Sequence, residues 1–444
     1  MCTSDITLSC KNFGHFDVVV VGGGCTGVFA AVRAARKGLK VAIVEKSNCF
    51  GGVATNGLVN VWHSLYDIYG KEQIIGGLTD EIIQILLRKG YGKLEKADPQ
   101  YTLFDPNGLK LILDDLVTQS KIKVFFHTFY NTLIQKDKRI TGIIVGNKDG
   151  IGRIDAEFFI DATGDGDLCR DTGLDAYIES TIQPPSPCCF MTKSVKNDLG
   201  ELIALHGKEF GLDDDWGWGG NIPGLDDIYF RADFHIFGKM CNVADDLTEA
   251  EIEGRRKMYA LSEMLKKYDD ADHSIVALSS QIGIRETVHY KTQFKATEQD
   301  LLLGKSYDDT IMRGTYCIDI HHQNDNGITF KHLDGRKTTH YGKSDKIIRS
   351  NWRDEMGITT PPAPYYQIPF RILVQEKISN LIPVGRMINA DRGAFGALRV
   401  MVNLNQLGEA AGIAAYLAID RHTTIQEVCG KTVQNALYKD FNSL

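Results

Sequence analysis

Gly22, Gly24 and Gly27 stand in the spacing G-x-G-x-x-G, and Glu45 follows 21 residues after Gly24. Glycines so spaced let a backbone turn tightly and approach phosphate oxygens, and an acid at that interval can accept hydrogen bonds from a ribose diol. The chemistry implied is the binding of a dinucleotide. Gly22 permits the turn, Gly24 the close approach of a pyrophosphate, and Gly27 the packing of a helix against a sheet. Cys25 and Thr26 open that helix, whose free N–H groups and positive dipole end suit phosphate. Lys46 follows the acid directly. The elements that must position these residues are legible around them. Val18–Val21 is an unbroken β-branched run and reads as a buried strand. Residues 28–37 read as a helix, and residues 40–44 as a second strand that ends at Glu45.

Three later segments say which dinucleotide. Gly51, Gly52 and Thr55 lie in S-N-C-F-G-G-V-A-T-N-G. Glycines just after the ribose-binding acid bring backbone to both a pyrophosphate and a flavin, which a nicotinamide dehydrogenase does not need. Ile154, Ala156, Phe158 and Ile160 alternate as a strand that runs into Asp161, Ala162, Thr163, Gly164 and Asp165. Such a small-residue turn would pass close to the cofactor; its plainer reading is a generic Asp/Gly turn. A short strand over Leu381–Val384 meets Gly385 and Arg386, and a helix-compatible stretch begins near Ala397. Gly408, Ala411, Gly412 and Ala415 give that stretch a small-residue face. Its N-terminus, with Arg399 and Val400, would face the flavin pyrimidine edge, where negative charge develops on reduction. The segment at Thr128 would pass the adenine. The cofactor expected is FAD, bound non-covalently.

These segments resemble the FAD-dependent oxidoreductase family, whose cofactor domain is shared with the fumarate reductase and succinate dehydrogenase flavoproteins. The resemblance extends through Q-I-G-I-R-E-T at 281–287, D-L-L-L-G-K at 300–305, R-G-T-Y-C-I-D-I-H at 313–321 and Y-Q-I-P-F-R at 366–371. It implies an α/β fold: a discontinuous Rossmann-like FAD/NAD(P)-binding domain with an inserted α+β substrate domain. Composition places the divisions. Residues 15–175 read as the first part of the FAD domain and 366–422 as its second part. The aromatic-rich stretch 176–365 between them reads as the insertion, and 423–444 as a C-terminal helix with Thr424 and Glu427 as its capping box. Within the first part, Leu78–Lys89 and Leu109–Ser120 are helix candidates. Lys121–His127, Asn131–Gln135 and Arg139–Val145 are strand candidates for a small antiparallel group.

Bulk properties exclude several classes. The 444 residues are 43% hydrophobic and 24% charged, as in ordinary globular proteins. A net charge of −7 argues against a nucleic-acid partner. No run is long and apolar enough to suggest a membrane span. The ten cysteines include no C-x-x-C pair, so iron–sulfur and zinc-ribbon spacings are absent, unlike relatives similar to the heterodisulfide reductase flavin subunit. Scattered thiols and the lack of a signal-like start suggest the cytoplasm. No metal site is expected.

Candidates for catalysis are cationic or imidazole groups. His321, in D-I-H-H, is the best acid–base candidate; the plainer reading is a loop histidine bonded to its neighbours. Arg285 could hold a substrate anion, or form a structural salt bridge with its surroundings. His289 would share the face of Arg285 if that segment were helical. Arg371, Arg386, Arg392 and Arg399 could hold a substrate carboxylate or the cofactor phosphates, and His63 could face the flavin. Only one complete glycine fingerprint exists, so a second NAD(P)H domain is not evident. The expected function is hydride transfer between flavin N5 and a small organic substrate. The alternative is a flavin electron-transfer subunit of a larger redox complex. A redox partner protein and a homo-oligomer both stay open.

Overall fold

The structure is a computed structural model that describes residues 9–97, 99–269, 271–323, 326–342 and 347–441. Its centre is the strand Lys11–Val21, in which Val18 to Val20 are wholly buried. Helix Cys25–Arg36 carries the chain back over the sheet to strand Val41–Val44, which pairs parallel to the first with Val18 opposite Val41. A parallel pair needs such a crossover, because a tight turn cannot reverse the chain twice. Helix Pro106–Gln119 makes the next crossover, to strand Lys123–Phe125 beside Val41–Val44.

The other flank is built differently. Strand Gly150–Asp161 lies parallel to Lys11–Val21 on one side. On its other side its first half pairs antiparallel with Arg139–Asn147, and its last residues pair parallel with Leu381–Pro383. The strand Phe129–Lys136 completes an antiparallel arm. The sheet therefore has seven strands, and one of them comes from the far end of the chain. The strand candidate at 121–127 differs from expectation. Its backbone bonds go to Val41–Val44 in the parallel sheet, not to the antiparallel arm, because the crossover helix before it delivers it to that edge.

Helix Gly77–Arg88 and helix Pro106–Gln119 occupy the segments expected for them, the latter capped by the Asp105 carboxylate on the N–H groups of Asn107 and Gly108. The long helix begins at Met401, not near Ala397. A separate short helix, Arg392–Leu398, precedes it, and extended backbone at Val400 divides the two. Thr424 and Glu427 do form a capping box, but it opens a short 3-10 turn, Ile425–Glu427, ahead of helix Gly430–Phe441.

Between residues 176 and 365 the chain forms antiparallel structure. One four-stranded sheet runs in the order Trp218–Ile222, Leu225–Ala232, Cys189–Thr192, Ile275–Leu278. Helix Ala244–Tyr268 contributes Met258, Leu261, Met264 and Leu265 to a core shared with Cys189, Met191 and Phe234. A second sheet is a meander of Ile318–His321, Gly327–Lys331, Arg336–Tyr341 and Ile347–Asn351. Residues of this stretch also enter the main core: Ile311, Met312, Ile318 and Trp352 pack in the same cluster as Phe29, Trp62 and Phe395.

Candidate active site

The glycine turn sits where the central strand gives way to its crossover helix. Gly22 has φ of +107°, and a Cβ there would lie 2.2 Å from the Ala162 carbonyl oxygen. Only glycine suits that backbone and that contact. A Cβ on Gly27 would lie 2.0 Å from the Gly22 oxygen, so the helix starts flush against the turn. Gly24 is the opposite case: a Cβ there would meet nothing within 4 Å. No side chain caps the helix that starts after it. Its first N–H groups are therefore left for an external acceptor. Gly51 N–H donates to Gly23 O at 2.9 Å, which holds the second glycine segment beside the first. Glu45 accepts from Gly23 N–H at 2.6 Å and from Ser47 N–H at 2.7 Å.

These groups open into one cavity of about 500 Å³. Its walls include Gly22, Gly24, Cys25, Thr26, Glu45 and Lys46, with Gly51 and Gly52 among them. Ala162, Thr163, Gly164 and Asp165 join them from the end of the Gly150–Asp161 strand, and Gly385, Arg386, Arg399 and Val400 from the C-terminal segments. Arg386 reaches Asp165 at 2.6 Å, and Thr287 donates to the same carboxylate at 2.8 Å. Segments from four parts of the chain thus meet along one groove. Backbone N–H groups at a helix start, an acid beside them and an uncrowded glycine match the pyrophosphate and ribose of a dinucleotide.

Three residues expected at the cofactor stand behind the wall. Gly27 serves the helix–turn contact. Thr55 donates to Phe50 O at 2.6 Å and is wholly buried, which shapes the Gly51–Gly52 turn. Thr128 is buried and its N–H donates to Glu45 O, so it bears on the acid from beneath.

The same cavity carries side chains that could do chemistry. Arg285, His321, Asp319, Tyr316, His63, Trp216 and Trp218 all line it. Arg285 donates through Nη1 to Pro184 O and Ser186 Oγ, both at 2.7 Å. Among the described residues no carboxylate lies within ion-pair distance of it. Burial, with Arg399 adding, pulls its pKa down to about 10, so it stays a cation at neutral pH. Arg399 and the Tyr316 hydroxyl both donate to Asp319 Oδ2, at 2.7 and 2.8 Å. Burial raises the Asp319 carboxyl, but Arg399 and His321 outweigh it and hold the pKa well below the usual range. His63 stacks on Tyr316 with ring centres 4.1 Å apart. Burial lowers its pKa to about 4, so it is neutral at pH 7.

His289 lies away from this group. The segment from Arg285 to Val288 is not helical, and a side chain four residues on does not return to the same face. His289 is fully buried between Ile388 O (2.8 Å) and the Glu286 carboxylate (3.0 Å). Glu286 in turn accepts from Gln183 N–H, so the structural bridge here is Glu286–His289 and not one to Arg285. Arg371 is at the surface, paired with Asp309. His322 turns to Thr329, and no group of residues with the makings of a metal site occurs among the described residues. Cys188 and Cys189 are buried, with the Cys188 thiol pushed up to about 12, which leaves it protonated.

Two residues that local spacing did not reveal complete the site. His235 is buried, bonded through Nδ1 to Asp215 at 2.8 Å and through Nε2 to His321 Nδ1 at 2.6 Å. They lie 20 residues apart in the aromatic-rich stretch, and nothing in their local sequence marks them.

The fold is of the Rossmann-like class, and the groove has the makings of a dinucleotide site. The family model for FAD dependent oxidoreductases matches residues 17–437, and the chain belongs to that family. Curated relatives match over less. A thiamine thiazole synthase of Pyrococcus horikoshii is 29% identical over 161 residues, 34% of this chain and 58% of that protein. A dihydrolipoyl dehydrogenase of Trypanosoma brucei brucei is 35% identical over 120 residues, 26% and 23% respectively. The matches thus span roughly a quarter to three fifths of these relatives' lengths. Among solved structures, a geranylgeranyl bacteriochlorophyll reductase-like protein of Thermoplasma acidophilum aligns over 96% of this chain and 84% of its own. Its TM-score is 0.49 at 12% identity. No helix among the described residues is long and apolar enough to cross a membrane.

Proposed function

We propose that this enzyme transfers a hydride between flavin N5 and a small organic acid, with Arg285 as the anchor for the substrate carboxylate and His321 as the acid–base group. One observation carries the reading: a single cavity runs from the glycine turn at Gly24 to Arg285, His321 and the two tryptophans. FAD, when bound, supplies the two-electron chemistry. Gly24, the start of the helix after it and Gly51–Gly52 hold the pyrophosphate, and Glu45 the ribose. Gly164, Arg386, Arg399 and Val400 flank the flavin end. Arg285 is a cation with no carboxylate partner among the described residues, and a guanidinium fork matches a carboxylate bidentately. Trp216 and Trp218 give the substrate an apolar wall and exclude water. His321, neutral at pH 7, holds or receives the proton that accompanies hydride movement.

The test is the visible spectrum of the purified, flavin-loaded protein under anaerobic conditions. 2-Hydroxy acids, amino acids, saturated dicarboxylates, NADH and NADPH are added in turn. The expected result is bleaching by an organic acid, with a half-saturating concentration at least tenfold higher in Arg285→Met. Bleaching by dithionite alone would overturn the proposal in favour of an electron-transfer subunit. Bleaching by an organic acid with Arg285→Met unchanged would remove the anchor.

A further inference from the structure

Asp215, His235, His321 and Asp319 form a chain of three contacts, of 2.8, 2.6 and 3.2 Å in that order. Each contact needs one hydrogen to be a hydrogen bond. Two neutral imidazoles carry one N–H each, and two ionised carboxylates carry none. The chain therefore has two hydrogens for three links, and one link is left without. The geometry says which. Asp215 is buried and already accepts the backbone N–H groups of Trp216 and His235, both at 2.7 Å. A carboxylate so placed acts as an acceptor, so the His235 Nδ1 hydrogen points at it. His235 Nε2 is then a lone pair, and the 2.6 Å contact requires His321 to donate from Nδ1. His321 Nε2 is left bare. The contact it makes with Asp319 is the longest of the three, and Asp319 Oδ1, although buried, has no hydrogen-bonded partner among the described residues.

We infer that Asp215 and His235 are positioning residues, which lock His321 as the Nδ1–H tautomer so that its Nε2, beside Asp319 Oδ1, is the proton acceptor of the cavity. The inference rests on the proposed function only for the source of the proton, a substrate O–H or N–H. In the step, that bond breaks and its electron pair stays on the substrate heteroatom. The Nε2 lone pair forms the new N–H bond. The third link then gains its hydrogen, and the imidazolium lies between the His235 ring and the Asp319 carboxylate. The charged groups around His321 fit a base that is empty at rest. Burial and the cation of Arg285 hold the imidazolium form down, His235 adds to them, and Asp319 opposes. Arg399 and Tyr316 act through Asp319 Oδ2, leaving Oδ1 to His321.

The test needs no substrate. The flavin-loaded protein is labelled with ¹⁵N-histidine, and the His321 ring signals are assigned by their loss in His321→Asn. The expected spectrum shows His321 Nε2 as an unprotonated, pyridine-type nitrogen and Nδ1 as a protonated, pyrrole-type one, unchanged between pH 8 and 6. In Asp215→Asn the Nε2 signal moves toward the pyrrole type as the lock is lost. A wild-type His321 protonated on Nε2, or one that titrates within that range, would overturn the inference even if the variant failed to fold. An unmoved Nε2 in a folded Asp215→Asn would remove Asp215 from the role. Failure of every organic acid to bleach the flavin would strike the proposed function and leave this result standing.

Discussion

Gly24 and Gly22 are two residues apart, yet they answer to different forces. At Gly24 a Cβ would meet nothing within 4 Å beyond its chain neighbours. At Gly22 it would strike the Ala162 backbone at an unfavourable φ. The two substitutions therefore separate binding from folding. Gly24→Trp is expected to fold with a melting temperature close to that of wild-type apoprotein, yet to purify colourless and resist reconstitution with FAD. Gly22→Val is expected to be destabilised by about 2–3 kcal/mol or more, since the clash is with backbone and the backbone strain adds to it. Thermal unfolding and visible absorbance, read on the same samples, check both. A yellow Gly24→Trp protein with stoichiometric flavin would contradict the placement of the pyrophosphate.

The helices Cys25–Arg36 and Met401–Asp420 carry the cofactor site at the level of elements. They pack backbone to backbone: a Cβ on Gly408 would lie 2.2 Å from Thr26 O, and one on Gly412 2.3 Å from Ala30 O. The contact is fixed by a buried pair, in which Arg33 Nε donates to Glu409 at 2.5 Å while Leu78 N–H donates to the other carboxylate oxygen at 3.1 Å. Burial already pushes the Glu409 carboxyl up to about 7, and removing Arg33 leaves it buried without its counter-ion and its donor. Arg33→Leu is expected to cost about 3–5 kcal/mol, and Arg33→Leu with Glu409→Leu distinctly less. Denaturant midpoints at constant m-value measure both, and a double variant as weak as the single one would show that the pair itself supplies the stability. The small-residue face of this helix was legible because it is a local repeat of glycine and alanine at helical spacing. The strand, turn and helix at 18–37 were legible for the same reason. His289 was misplaced because Arg285 and its neighbours offer no periodicity that distinguishes helix from extended chain. Asp215 and His235 were invisible because their meaning lies in tertiary packing: His235 meets His321 across 86 residues of sequence. No spacing within either segment encodes that encounter.

At the scale of the whole molecule, the imidazoles that line the cavity tie stability to pH. His63 titrates near 6.5 in an unfolded chain and at about 4 in the fold, chiefly because it is buried. Between those values the unfolded chain binds more protons than the folded one, so stability rises with pH across that window and is lost as pH falls through it. His235 and His321 are shifted in the same direction, again by burial first. Asp161 and Glu409 work the other way, since burial raises their carboxyls. The net curve therefore mixes signs, and the His63 contribution has to be isolated by difference. One side of His63 faces the cavity, where water offsets part of the burial, so its share is expected to be about 1–2 kcal/mol. Relative to His63→Asn, wild-type apoprotein should lose about that much between pH 7 and pH 4.5, read from denaturant midpoints at each pH. Equal losses in the two proteins would mean that His63 is solvated in the apoprotein. The loss should deepen when FAD is bound, because a flavin over that wall would remove the remaining water from the ring. A flavin that leaves the difference unchanged would place its ring system away from His63 and Tyr316.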